Sequence, residues 1–165
     1  MSDYTIKRME TEDEINGKGY VHYKSWHETY SDLIDSEYLK GITLEKTTEI
    51  AHRWLHNILV AKDGDQVIGF VAYGPYRDNS LPGYGEIYAI YVLADYYGKK
   101  VGYELMNKAF ESLDHYKKIA VWVLKKNERA IRFYEKYGFR HDGAEAEIVL
   151  GAPNTELRMI YERVE

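Results

Sequence analysis

Two glycines, Gly98 and Gly102, bracket the segment of this chain best suited to chemistry. The preceding residues, Glu86-Ile-Tyr-Ala-Ile-Tyr-Val92, form a β-branched and aromatic run that reads as a buried strand. The following residues, from Tyr103 to Phe110, repeat their apolar positions at helical spacing. A strand entering a glycine-containing loop and then a helix start is a phosphate-binding arrangement. The first backbone N–H groups of a helix lack internal partners, and the helix dipole favours an anion there. Lys99 and Lys100 add positive charge at the same point. A ligand carrying phosphates is the natural inference. Elsewhere, His52 and His56 stand four apart, a spacing that can hold a metal, but no third ligand is evident and no metal is expected.

These residues need a framework. Asp3–Met9 alternates enough for a first strand, and Thr11 before Glu12, Asp13 and Glu14 marks a helix start. That helix runs to about Tyr30, with Gly17 and Gly19 weakening its first half. Further helical stretches cover Ser36–Lys40 and Thr43 to about His56. Asn57–Ala61 and Gln66–Tyr76 read as strands around an Asp63-Gly64 hairpin turn. Ile119–Leu124 is short and almost wholly apolar, as a central strand covered on both faces would be. Asn127 caps a helix that ends at Gly138, and two strands, about 139–150 and 155–162, close the chain. The expected class is mixed α/β, with antiparallel hairpins at both ends of the sheet and helical crossovers in its middle.

Composition bounds the function. The 165 residues suit one domain, 1–165, and 45% hydrophobic with 30% charged residues is ordinary for a globular protein. There is no cysteine, which excludes disulfides, thiolate metal sites and a cysteine nucleophile. Lys and Arg number 22 against 27 Asp and Glu, a net charge of −5. With no basic arm to offset it, that balance argues against a nucleic-acid partner. No signal peptide or membrane-length apolar run is evident, so neither a membrane partner nor export is expected, and cytoplasmic residence is the default. The 17 tyrosines suit pockets and interfaces, and with the end hairpin they make a homodimer possible.

The order of elements resembles the GNAT superfamily of N-acetyltransferases. Its phosphate-loop signature, Gln/Arg-x-x-Gly-x-Gly/Ala, falls here on Tyr97, Gly98, Lys99, Lys100, Val101 and Gly102. Tyr97 and Lys100 depart from that pattern and Gly102 keeps it. The segment Asn127-Glu-Arg-Ala130-Ile-Arg-Phe133-Tyr134-Glu-Lys-Tyr-Gly138-Phe139 matches the family's Asn-x-x-Ala-x-x-Phe-Tyr-x-x-x-Gly-Phe at every named position.

The resemblance implies a mostly antiparallel sheet of about seven strands flanked by about four helices, with splayed central parallel strands. It implies acetyl-CoA as cosubstrate, no metal, and acetyl transfer to an amine by direct attack. The cofactor pyrophosphate would lie on Tyr97 to Tyr103 and its pantetheine arm along Ile90, Tyr91 and Val92. Val92 N–H would hold the thioester carbonyl, and Asn127, Ala130 and Phe133 would lie near the arm. Tyr134 would be the general acid and Glu86, as a partly buried carboxylate, the general base. Trp26 and Tyr30, with His27 beside them, would wall an acceptor site for a small amine or polyamine. A protein or peptide acceptor, or a non-catalytic acyl-CoA sensor, are the alternatives.

Overall fold

The computed structural model describes residues 3–164. Its strands are β1 (Thr5–Arg8), β2 (Ile58–Asp63), β3 (Gln66–Pro75), β4 (Gly85–Val92), β5 (Lys118–Leu124), β6 (Arg140–Val149) and β7 (Pro153–Glu162). Its helices are α1 (Glu12–Tyr30), α2 (Ser36–Lys40), α3 (Leu44–Arg53), α4 (Val101–Ser112) and α5 (Glu128–Tyr137). One seven-stranded sheet runs β1-β2-β3-β4-β5-β7-β6. Five α-helices flank it among the described residues where about four were expected, and the short α2 falls on the Ser36–Lys40 stretch read from the sequence.

Only β4 and β5 are parallel, and they pair over just three residues, Gly85↔Ile119 to Ile87↔Val121. Past Ile87 the two strands part, as the expected splay requires. From Tyr88 to Val92, β4 is therefore bonded to β3 alone, with its other edge unpartnered by a strand. A bulge at Tyr88, between the pairs Ala72↔Ala89 and Tyr73↔Ile87, bends β4 at the point of divergence.

The two faces are covered differently. Helices α4 and α5 bury Val101, Leu105, Met106, Ala109 and Tyr134 against Ile87, Val121, Val123 and Met159. On the opposite face α1 buries Val21 over Val60, Val67 and Phe70. A third cluster, Tyr30, Ile34, Leu39, Leu124 and Leu150, closes the C-terminal end of α1 over β5.

Local chemistry explains the helix ends. The Thr11 hydroxyl accepts from Glu14 N, and the Glu14 carboxylate accepts from Thr11 N and Glu10 N, a complete capping box. Glu14 is buried and also takes Lys7 Nζ at 2.7 Å and Lys62 Nζ at 3.0 Å. Burial opposes its ionisation, but these donors outweigh it and hold the carboxyl well below the usual range. Gly17 and Gly19 read in sequence as weak points in α1; in the fold they are contact points. A Cβ on Gly17 would stand 2.5 Å from Val67 Cγ2, and one on Gly19 2.8 Å from Thr48 Cα. The i, i+4 pair is also altered, since α3 ends at Arg53, before His56, and His52 Nε2 bonds Asn16 Oδ1 at 2.8 Å.

Candidate active site

The tip of α4 is built from two left-handed residues. Gly98 has φ +80° and Lys100 φ +66°, and Lys100 stands at the N-cap without a side-chain cap. Lysine at that dihedral costs roughly 1 kcal/mol, so the loop accepts strain to hold its shape. No side chain caps the tip, and the first intrahelical bond is Glu104 N to Lys100 O, so the leading amides of α4 have no intrahelical partner. A loop of this shape leading into a helix terminus can take an anion on its backbone N–H groups. Glycine at 102 is not required by protein packing. A Cβ there would meet only Phe133 at 3.4 Å and Val92 at 3.8 Å, ordinary contacts. Its absence leaves room for a ligand to approach the backbone.

Tyr97 has an unexpected partner. The Arg129 guanidinium, from the first turn of α5, lies 3.3 Å from the Tyr97 ring centroid. The stacked pair brings a fixed cation beside the α4 tip, at the position where the signature calls for Gln or Arg. Lys99 Nζ sits over the Tyr96 ring at 5.2 Å, and Tyr103 packs at 5.7 Å against Tyr137.

From the α4 tip the unpartnered edge of β4 leads inward. Leu93 N bonds back to Ile68 O of β3. Alternation then turns the N–H groups of Val92 and Ile90 away from β3, towards the gap. Ile90 and Val92 side chains pack on the α4 face, and Tyr91 packs under α1.

The gap itself is lined by Tyr30, Tyr91, Asn127 and Tyr134. Tyr30 Oη lies 3.2 Å from Tyr91 Oη. Asn127 caps α5, its Oδ1 accepting from Ala130 N at 3.2 Å, and its side chain also reaches the Tyr30 hydroxyl. Tyr134 is buried between Phe133 and Phe139, and burial first, then the nearby Tyr30, raise its pKa. Its phenol therefore stays protonated. Trp26 meets Tyr30 edge-on at 4.7 Å, with its Nε1 near the Tyr91 hydroxyl but outside hydrogen-bond geometry. His27, by contrast, turns to Ile42 O at 2.8 Å.

Glu86 differs from the half-buried carboxylate anticipated. It is fully buried, and Arg77 from the β3–β4 connection saturates it. Arg77 N donates to Oε1 at 3.0 Å, and the guanidinium forks onto both oxygens, with Nη2 at 2.6 Å from Oε2. Three N–H groups of Arg77 thus engage the Glu86 carboxylate. Beyond it, the Trp122 ring has two guanidiniums within reach, Arg77 at 5.6 Å and Arg158 at 5.7 Å. A separate hollow of about 360 Å³, lined by Arg8, His56, Asn57 and Tyr73 among others, holds, of the residues singled out in sequence, His56 and none of those assigned to cofactor or acceptor.

Comparison with known proteins agrees with this geometry. The model of the acetyltransferase (GNAT) family matches residues 21–139. The chain belongs to the GNAT family of acetyltransferases. An uncharacterized N-acetyltransferase of Bacillus subtilis, YuaI, is 33% identical over 140 residues, covering 81% of this chain and 78% of that protein. A probable N-acetyltransferase of Mycobacterium tuberculosis is 30% identical over 129 residues, covering 74% and 72% of the two chains. Among solved structures, the PaiA N-acetyltransferase of Thermoplasma acidophilum in complex with coenzyme A superposes with TM-score 0.76 at 20% identity, over 99% of this chain and 100% of that one.

Within this GNAT framework, the structure gathers Tyr97 to Tyr103 at one end of the gap and Tyr30, Asn127 and Tyr134 along it. Arg77 and the β7 carboxylate Glu156 escaped the sequence reading. Arg129, which the sequence reading left facing water, instead stacks on Tyr97. No helix among the described residues is long and apolar enough to cross a membrane.

Proposed function

We propose that this chain transfers the acetyl group of acetyl-CoA to a primary amine, by direct attack within a ternary complex. The observation that carries the reading is continuity: the uncapped α4 tip runs into the unpartnered edge of β4, whose Tyr91 lies within electrostatic reach of the buried Tyr134 phenol. A long ligand with phosphates at one end, amides in its middle and a thioester at the other matches that sequence of groups. The coenzyme A in the PaiA crystal supports the choice of ligand.

In this account the pyrophosphate rests on Gly98–Tyr103 with Arg129 beside it, and the pantetheine amides add to β4 as a strand would. Val92 N–H steadies the thioester carbonyl as negative charge develops on its oxygen. The amine attacks that carbon directly, since the chain has no cysteine to carry an acyl intermediate. Tyr134 protonates the departing thiolate. Glu86 anchors Arg77 and so fixes the wall of the acceptor side. Tyr30 and Trp26 close that side with aromatic surface of a size suited to a small amine or polyamine.

Isothermal titration with coenzyme A, followed by thioester turnover with tyramine, 1,4-diaminobutane, glycine amide and a short peptide, tests the reading. Tight binding with turnover of at least one small amine is expected. Binding without turnover of any would instead favour a sensor, and turnover of the peptide alone a protein acceptor.

A further inference from the structure

The acetyl-transfer reading leaves one proton unassigned. An alkylammonium must lose a proton before it can attack, and Glu86 is fully buried and already paired with Arg77. A second carboxylate lies on the same face of the sheet. Glu156 of β7 stands in register with Leu124, the last residue of β5, and with Ala146 of β6. Leu124 packs with Tyr30 in the cluster that closes the gap, so this register sets Glu156 at the mouth of the splay.

Its surroundings are specific. Glu156 lies within electrostatic reach of Arg77, of Glu86 and of Tyr30, which come from three separate elements. Glu86 pairs with Ala120, and Ala120, Trp122 and Leu124 alternate onto one face of β5, so Glu86 and Glu156 project to the same side. Other carboxylates nearby are spent: Glu86 on Arg77, and Asp142 on Arg158 at 2.7 Å. Arg158, the next residue along this face of β7, also reaches the Tyr76 hydroxyl at 3.3 Å. Among the described residues the Glu156 side chain makes no hydrogen bond and no ion pair, although it is half-buried. Burial first, with Glu86 adding to it and Arg77 opposing, raises its pKa, as suits a group that must accept a proton near neutrality. The Trp122 ring already has two arginines within cation–π distance, and the Glu156 carboxylate, with no such partner, is the attractive group for a cation on this face.

We propose that Glu156 receives the acceptor's ammonium group and takes its proton. This rests on the acetyl-transfer reading. One ammonium N–H bond breaks and a carboxylate oxygen of Glu156 gains the proton. The freed nitrogen lone pair forms the C–N bond to the acetyl carbon. The C–S bond then breaks, and the thiolate leaves with the Tyr134 proton. The second proton shed by nitrogen restores the Tyr134 phenol, and Glu156 releases its own to solvent. Overall, ammonium and acetyl-CoA give the amide, coenzyme A and one proton.

The test compares wild type, Glu156→Gln and Glu156→Asp, using the best of the four acceptors named above. Glutamine should lower kcat/KM for the amine by about 100-fold at pH 7, within the usual range for a lost base. The deficit should narrow as pH rises and free amine appears in solution. Coenzyme A affinity and thermal midpoint should stay close to wild type, and aspartate should recover part of the rate. An unchanged kcat/KM with an unchanged pH profile would overturn the assignment of Glu156 while leaving the transferase reading standing. Failure of wild type to bind coenzyme A or to acetylate any of the four would remove both.

Discussion

Replacing Lys18 with methionine should stabilise this protein, and the gain should vanish in alkali. Lys18 lies on the sheet-facing side of α1, only 5% exposed, with its Nζ 4.8 Å from the Phe70 ring centroid. Among the described residues no carboxylate pairs with it. Burial pushes its pKa down to about 8 from 10.5. At about 1.4 kcal/mol per pH unit, holding the amine protonated in the folded state costs about 3 kcal/mol at neutral pH. The ring returns part of this, about 1 kcal/mol, through its negative face.

Methionine keeps an unbranched stem over Phe70 and carries no charge, so a net gain of about 2 kcal/mol is expected at pH 7. For a domain of this size that is roughly 4–8 °C in Tm. The sign with pH follows from the direction of the shift. Between about 8 and 10.5 the unfolded chain binds the proton more tightly than the folded one. Wild-type stability therefore rises through this window as the penalty fades. Urea unfolding of both proteins at pH 7 and 9.5 should show the Lys18→Met advantage shrinking by about 2 kcal/mol. Taking the difference between the two proteins cancels the other lysines and tyrosines. A constant difference, or none at either pH, would mean that the amine reaches water and would refute the argument.

Three other outcomes follow from the same structure. Burial, with Lys18 beside it, pushes His22 down to about 4, so stability should fall as pH drops from 6.5 towards 4 while the unfolded chain gains the proton; His22→Phe should recover up to about 3 kcal/mol at pH 4 by denaturant titration. Gly102→Ala should leave the fold intact or slightly firmer, since a Cβ meets only ordinary contacts, yet weaken coenzyme A binding at least tenfold by calorimetry. Arg129→Ala should raise the coenzyme A Kd about tenfold and flatten its salt dependence, because a fixed cation beside the phosphates is lost; an unchanged Kd would place that arginine outside the site.

What the sequence disclosed, and what it hid, follows the distance over which each feature is encoded. The strand, loop and helix around Gly98 were legible because they are contiguous, and Lys100, which replaces the signature's glycine, takes a glycine's backbone at φ +66°. The splay was legible through the resemblance, and its cause appears as the three-residue pairing of β4 with β5. Asn127 read correctly as a cap because capping is local. The setting of Glu86 was not legible, since Arg77 reaches it from an irregular connection with no pattern of its own. The Lys18, His22, Trp26 and Tyr30 stripe spans three four-residue steps of α1, yet its polar members look like surface residues until Phe70 and Tyr91 are seen beneath them. Glu156 was hidden for a like reason: its neighbours come from α1, the β3–β4 connection and β4, and only the folded sheet brings them together.

The most direct test of the account is an amide-resolved NMR titration with coenzyme A. The amides of Gly98 to Tyr103, with those of Ile90 and Val92, should shift together and saturate at one equivalent, while the hollow beside His56 stays unperturbed. Saturating coenzyme A that left the amides of the α4 tip unmoved would contradict it.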